Sequence, residues 1–314
     1  MRLTILGCHS ATPRTFANPT AQFLEIANQR FLIDCGEGTQ TQLRKYHVKF
    51  SAVKHVFISH LHGDHYFGLI GLITTFGLHK RTTDLHIYAP AALEEIINLQ
   101  LKAGKSHLLF KLIFHPLESP KSETIFENDK VRVKTIPLKH RIYTNGFLFE
   151  EKPGERRLNI KAIKKHPEID ICDYQNLKNG KNFIQEDGTI IKNKKLTFAP
   201  PKPLRYAFCS DTAYKPNIAP IIKDADLLYH EATFLTDRED TAEKTLHSTA
   251  AQAGRIAKKG NVNSLIIGHF SSRYKNLNLF KKEAEKYFEN VILAASGKVV
   301  SIDNKTPEKT ITLN

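Results

Sequence analysis

Four side chains with lone pairs to offer a metal, His60, His62, Asp64 and His65, fall within six residues of the stretch "ISHLHGDHYFG". No helix or strand places such a pattern against a core, so the spacing points to chemistry. Imidazole and carboxylate are borderline-to-hard ligands that suit Zn(II), and also Mn(II) or Fe(II). His60 and His62 follow the apolar run "HVFIS" and can point to one side of a loop. Asp64 and His65 come where the chain turns back and can face a second ion.

The remaining ligands are expected where other apolar strands run out. "VKTIPLKH" ends at His140, "RYAFCSD" at Asp211 and "SLIIGH" at His269. Carboxyl ends of strands gather at one rim of a sheet, where open α/β folds place their ligands. Seven side chains suit two cations that share a bridging carboxylate. A zinc ion lowers the pKa of water bound to it to about 7, which supplies a nucleophile at neutral pH. Structural zinc sites close four ligands around one ion. A seven-ligand pair leaves positions open, which disfavours a basic RNA-binding protein with purely structural metals.

The elements that must hold these residues are short β-branched runs alternating with helical patterns. Strands are expected at "RLTILG", "QFLEIA", "RFLIDC", "HVFISH", "LHIYAP", "VRVKTIPL", "GFLFEE", "RYAFCS", "LLYHEA" and "SLIIGHF". Helices are expected at "TQTQLRKY", "YFGLIGLITTFGL", "AALEEIINLQLKA", "HSTAAQAGRIAKKG" and "NLFKKEAEKYFENV", with Gly260 placed to stop the fourth. Strands outnumber helices and several pair in sequence, so layered sheets covered by helices fit better than a βαβ barrel.

Residues 152–202 break the rhythm. There Lys, Asn, Pro and Gly replace the apolar periodicity, and twelve Lys and Arg face six Asp and Glu, giving +6 of the chain's net +14. Loops beyond about 15 residues are uncommon inside a compact domain, so this segment reads as an inserted basic arm with a little structure of its own, the alternative being a disordered insertion. The overall charge favours a polyanionic partner, nucleic acid first and a membrane surface second. Cys8, Cys35, Cys172 and Cys209 form no C-x-x-C pair, which suits a reducing cytoplasm. The opening residues lack the apolar run of a signal peptide, and "YFGLIGLITTFGL" falls short of the roughly 20 residues that span a bilayer.

"SHLHGDH" with its downstream partners resembles the metallo-β-lactamase superfamily. Within it, "LTILGCHSATP", "LIDCGEGTQTQL", "FCSDT", "HEATF", "HST" and "GHFSSRY" resemble the ribonuclease Z family of tRNA 3′-processing endonucleases. The resemblance implies an αββα sandwich, two central mixed sheets flanked by helices, spanning residues 1–314 with the arm at 152–202 gripping tRNA. It implies two zinc ions per subunit, or Mn(II) in their place. His60, His62 and His140 would hold one, Asp64, His65 and His269 the other, and Asp211 would bridge. Asp64 would also accept the proton of the attacking water. His247, supported by Glu231 or His230, would protonate the departing oxygen. Lys161, Lys164, Lys165, Lys178 and Lys181 on the arm, and Ser271, Ser272, Arg273 and Tyr274 near the metals, would contact phosphates. Asp34 in "IDCGEG" is read as an orienter of a ligand. A cytoplasmic homodimer acting on precursor tRNA is the implied state, with "YFGLIGLITTFGL" as its contact surface or a core helix.

Two departures from the family are visible. The arm tip reads "HPEIDICDYQNLKNG" where relatives have a Gly-Pro turn. In "PRTFAN", Thr15 and Ala17 replace two basic residues, with Arg14 as the available substitute. A small-substrate hydrolase of the same superfamily (a lactamase, a thioesterase-like enzyme or a cyclic-nucleotide phosphodiesterase) would share the metal residues but has no use for the arm.

Overall fold

The computed structural model describes residues 1–314 except 13, 14, 16 and 305–309. Pro13 and Arg14 of "PRTFAN" therefore lie outside the described residues. The rest forms two compact units, one of residues 1–151 with 204–302 and 310–314, the other of residues 152–203 with 303 and 304.

The larger unit holds two mixed sheets. In the first, the strands Arg2–Gly7, Ala21–Ile26 and Gln29–Ile33 pair antiparallel. The strands His55–Phe57, Leu85–Pro90 and Leu112–Leu117 then add in parallel. In the second, Thr124–Glu127, Val131–Pro137 and Asn145–Glu151 form an antiparallel meander. It joins a parallel group made of Arg205–Cys209, Leu227–Glu231, Leu265–Gly268 and Val291–Leu293.

Both sheets are apolar on both faces, as sheets covered on two sides must be. Phe31, Ile33 and Phe57 point into the layer between the sheets and meet Val133, Phe147, Phe149 and Tyr206. Leu32, Val56 and Ile87 point the other way, onto Leu43, Leu69, Leu72, Phe76 and Leu93 of the helices Thr39–Lys45, Gly68–Leu78 and Ala92–Ala103. The helices Ala250–Lys259 and Asn278–Glu285 cover the second sheet with Ala253, Ile256, Phe280 and Ala284.

The helix from Ala250 begins with a reciprocal cap: Gln252 N donates to Thr249 Oγ1 at 3.2 Å and Thr249 N to Gln252 Oε1 at 3.0 Å. Gly260 ends it for a reason other than a left-handed turn. Its φ is −77°, and a Cβ there would meet the Ile222 side chain at 3.0 Å. The "YFGLIGLITTFGL" pattern divides into Gly63–Tyr66 and Gly68–Leu78, and buries Leu69, Leu72, Ile73 and Phe76 while Phe67 and Leu78 stay exposed.

The smaller unit has regular structure of its own. Ile163, Ile169, Leu177, Ile191 and Leu196 form a small buried cluster, ringed by Leu158, Tyr174 and Phe183. Asn193 ties it together, its Nδ2 donating to Leu177 O at 2.8 Å and to Lys181 O at 2.7 Å. In the larger unit the residues on either side of the insertion clasp each other. Glu151 N donates to Leu204 O at 2.9 Å, and Leu204 N to Glu151 Oε2 at 2.8 Å. Because the arm's cluster is so small, Leu196→Ala, at about 2–5 kcal/mol for a buried leucine, should open it locally. Hydrogen exchange should speed up across residues 152–203 and stay slow in the two sheets.

Candidate metal centre

The parallel strands of both sheets end at one rim, and the residues just past those ends meet there. Asp34 follows Gln29–Ile33, and His60 to His65 follow His55–Phe57. His140 follows Val131–Pro137, Asp211 follows Arg205–Cys209, Thr233 follows Leu227–Glu231, and His269 follows Leu265–Gly268. Gly36 lets two of these loops touch, since a Cβ there would sit 2.4 Å from the Asp64 carbonyl oxygen.

Two sets of atoms converge. In the first, His62 Nδ1 lies 3.1 Å from His60 Nε2 and 3.2 Å from His140 Nε2. Asp211 Oδ2 lies 3.6 and 3.8 Å from those two Nε2 atoms. In the second, His269 Nε2 lies 3.2 Å from Asp64 Oδ2 and 3.3 Å from Asp211 Oδ1. His65 Nε2 lies 3.4 Å from each of the same two oxygens. A tetrahedron with metal–nitrogen bonds of roughly 2.0–2.1 Å has edges of about 3.3 Å, so both sets have the size of a metal cage. Asp211 gives one oxygen to each. His65 Nε2 and Asp211 Oδ1 are buried without a hydrogen-bond partner among the described residues, as atoms reserved for a cation would be.

The charges agree. Asp34, Asp211 and Glu231 are at most 2% exposed, and the Asp64 side chain is 7% exposed. Among the described residues no lysine or arginine forms a salt bridge with any of the four. Buried carboxylates left without counter-charge are strongly unfavourable; His247 answers Glu231, and two dications would answer the three aspartates. Without them, protons are drawn in. Burial opposes a charge on His65, but Asp64, Asp211 and Asp34 hold its pKa well above the usual histidine range. Burial acts to raise Asp64, yet His65 and His269 hold it far below the usual carboxylate range.

A second layer of hydrogen bonds fixes which nitrogen of His60, His65, His140 and His269 faces the cage. Asp34 Oδ2 accepts from His65 Nδ1 at 2.7 Å, and the same carboxylate accepts from Ser59 N and Ser59 Oγ at 2.8 and 2.9 Å. Ser59 Oγ in turn lies 3.0 Å from His60 Nδ1. His140 Nδ1 donates to Leu246 O at 2.9 Å, and Thr233 Oγ1 accepts from His269 Nδ1 at 2.9 Å. Three of these supports have left-handed backbone, Asp34 at φ 55°, Leu246 at 57° and His269 itself at 61°, the sort of local strain that surrounding structure must hold in place.

His247 stands beside the cage. Its Nδ1 donates to Glu231 Oε1 at 2.9 Å, and its ring lies with those of His140 and His269 at centroid distances of 5.0 and 5.5 Å. Burial works against its charge, but Glu231 raises its pKa to about 9. Glu231 also accepts from Thr212 N, Ser248 N, Thr233 N and Thr233 Oγ1 at 2.7 to 3.1 Å. With every lone pair engaged and no exposure, it holds His247 and cannot itself reach a reacting atom.

His62, Asp64, His140, Asp211, His247, His269, Ser271, Ser272 and Arg273 line a cleft of about 460 Å³. Two expected participants are not there. His230, next to Glu231 on a strand, faces the other side of the sheet, fully buried, with Nδ1 donating to Glu231 O at 2.7 Å. Tyr274 turns away to donate its hydroxyl to Asp237 at 2.8 Å and accept from Leu235 N at 3.2 Å. Lys161, Lys164, Lys165 and Lys181 are exposed and Lys178 half-buried on the smaller unit. Thr233, Ser59 and the Leu246 carbonyl escaped sequence reasoning, because hydroxyls and carbonyls carry no signature of their own. Removing the strongest support tests this layer: Asp34→Ala should weaken metal binding about 10- to 100-fold, read by competition with a chromogenic chelator, while Asp34→Asn should lose less.

Residues 1–158 match the family described as anti-Pycsar protein Apyc1. Curated relatives match almost end to end. The ribonuclease Z of Bacteroides fragilis is 44% identical over 96% of this chain and 98% of its own. That of Bacteroides thetaiotaomicron is 44% identical over 97% and 96%. Among solved structures, the short form of human tRNase Z superposes with a TM-score of 0.70 at 26% identity, covering 96% of this chain and 99% of its own. The metallo-β-lactamase fold protein YhfI of Bacillus subtilis (TM-score 0.66, 19% identity, 95% and 98% covered) shares the fold. The chain therefore has the metallo-β-lactamase fold and belongs to the ribonuclease Z family, with a first half that also falls within the Apyc1 family.

Proposed function

We propose that this protein is a metal-dependent endoribonuclease that removes the 3′ trailer from precursor tRNA. It leaves a 3′-hydroxyl on the tRNA and a 5′-phosphate on the trailer. The observation that carries the reading is the two-cation cage opening on a cleft, in a chain that ribonuclease Z relatives match along its length. Five imidazoles and two carboxylates favour zinc, two ions per subunit, with Mn(II) able to replace it. His60, His62 and His140 would hold one, Asp64, His65 and His269 the other, and Asp211 both.

When bound, such a pair supplies an acidified water and neutralises charge at the phosphate. Asp64 lines the cleft and accepts the proton of the attacking water. His247 has Nδ1 committed to Glu231, which leaves Nε2 for the substrate. From there it donates a proton to the departing 3′-oxygen, a contribution typically worth about 10²–10⁴-fold. Ser271, Ser272 and Arg273 hold phosphate oxygens at the cleft wall. Double-stranded RNA is read through shape and backbone, which is the task of the cationic arm and of Lys161, Lys164, Lys165, Lys178 and Lys181.

The four cysteines are free, three of them buried, which supports a reducing cytoplasm. No described helix is long and apolar enough to cross a membrane. Phe67 and Leu78, 58% and 84% exposed at the ends of the helical stretch after the metal loop, support a homodimer through that surface.

Incubating a 3′-extended precursor tRNA with the protein should yield one cut at the trailer junction, and a chelator should abolish it. An intact precursor would refute the reading. Asp64→Ala should reduce cleavage by at least about a thousandfold while filter binding of tRNA stays near normal. Deleting most of residues 152–202 should abolish tRNA cleavage but spare hydrolysis of a small phosphodiester. Raising salt should weaken tRNA binding with a log–log slope of roughly 0.7–0.9 per phosphate contact.

A further inference from the structure

Arg141 follows His140 on the loop between the strands Val131–Pro137 and Asn145–Glu151. That loop is pinned on every side. Lys139 N donates to Thr212 Oγ1 at 3.1 Å, Ala213 N to Lys139 O at 2.8 Å and Leu138 N to Thr144 O at 3.1 Å. The His140 side chain, 1% exposed, turns inward. The next side chain therefore leaves on the solvent side, and Arg141 lines the cleft along with Ser271, Ser272 and Arg273. Arg2, Arg30, Arg132 and Arg205 each pair with a glutamate. The Arg141 guanidinium has no ion pair or hydrogen bond among the described residues, although its charge is felt at His62.

A cation on a pinned loop beside a cage built for two dications is repelled by them until an anion comes between. One phosphodiester over the metals would occupy their open positions and leave the guanidinium unused. We propose that Arg141 binds the phosphodiester adjacent to the one that is cut, so the cleft holds two consecutive backbone charges of the RNA strand and only one of them through metal. The planar fork of arginine suits two phosphate oxygens at once. The assignment rests on the RNA-cleaving reading of the site.

The test is a chemical double-mutant cycle on a 3′-extended precursor tRNA. Arg141→Ala should lower kcat/KM about 10- to 100-fold, and Arg141→Lys, which keeps charge without the fork, by less. A neutral methylphosphonate at one position next to the cut should slow the unmodified enzyme by a similar factor, yet cost Arg141→Ala nothing further. At the other positions the two losses should multiply. Equal rates for Arg141→Ala and the unmodified enzyme, or losses that multiply at every position, would overturn this assignment and leave the functional reading intact. A precursor left uncut by the unmodified enzyme would overturn both.

Discussion

Four carboxylates gathered where no lysine or arginine among the described residues pairs with them set the terms for everything around the rim. Asp34, Asp64, Asp211 and Glu231 are tolerable in such a place only if positive charge arrives from elsewhere. Histidine protons supply part of it, and a cation pair supplies it in full. The two sheets can then be understood as a frame. Their parallel halves bring loop after loop to one edge, and the aromatic layer between them, with Phe57 stacked on Tyr88 at 4.5 Å and set edge-on to Phe149 at 5.4 Å, keeps the loops from drifting.

Support of the rings passes through hydroxyls. Ser59 links Asp34 to His60, and Thr233 links Glu231 to His269, so each side of the cage has one small side chain relaying between a carboxylate and an imidazole. Thr233 Oγ1 also lies 3.3 Å from His247 Nδ1. His247 and the cage ring His269 thus share one support.

Most of the framework was legible because it rests on local rules. Apolar strands ending in His140, Asp211 and His269 advertise a rim, and short apolar runs such as "RFLI" and "HVFIS", more numerous than the helical patterns, advertise layered sheets covered by helices. What sequence could not resolve was direction. His230 and Glu231 are neighbours in "HEATF", and only the strand's register decides that one faces the cage and the other faces away. Tyr274 was lost for a similar reason, since a tight turn after Ser271 sends its hydroxyl to Asp237. Five residues of the basic segment form a core without any sustained periodicity, because they come from separate short turns brought together by tertiary contact. Gly260 was identified correctly as an ending but for another cause, a close neighbour instead of a backbone twist.

The clasp between Glu151 and Leu204 has a consequence for how this architecture diversifies. The sheet sees the same two hydrogen-bonded neighbours whatever chain is spliced between them, and the entropy of closing a longer splice rises only slowly with its length. Lineages are therefore at liberty to lengthen, recharge or rewrite the appendage without disturbing the hydrolytic chemistry. Under the proposed function, substrate choice and bond breaking become separately inheritable traits.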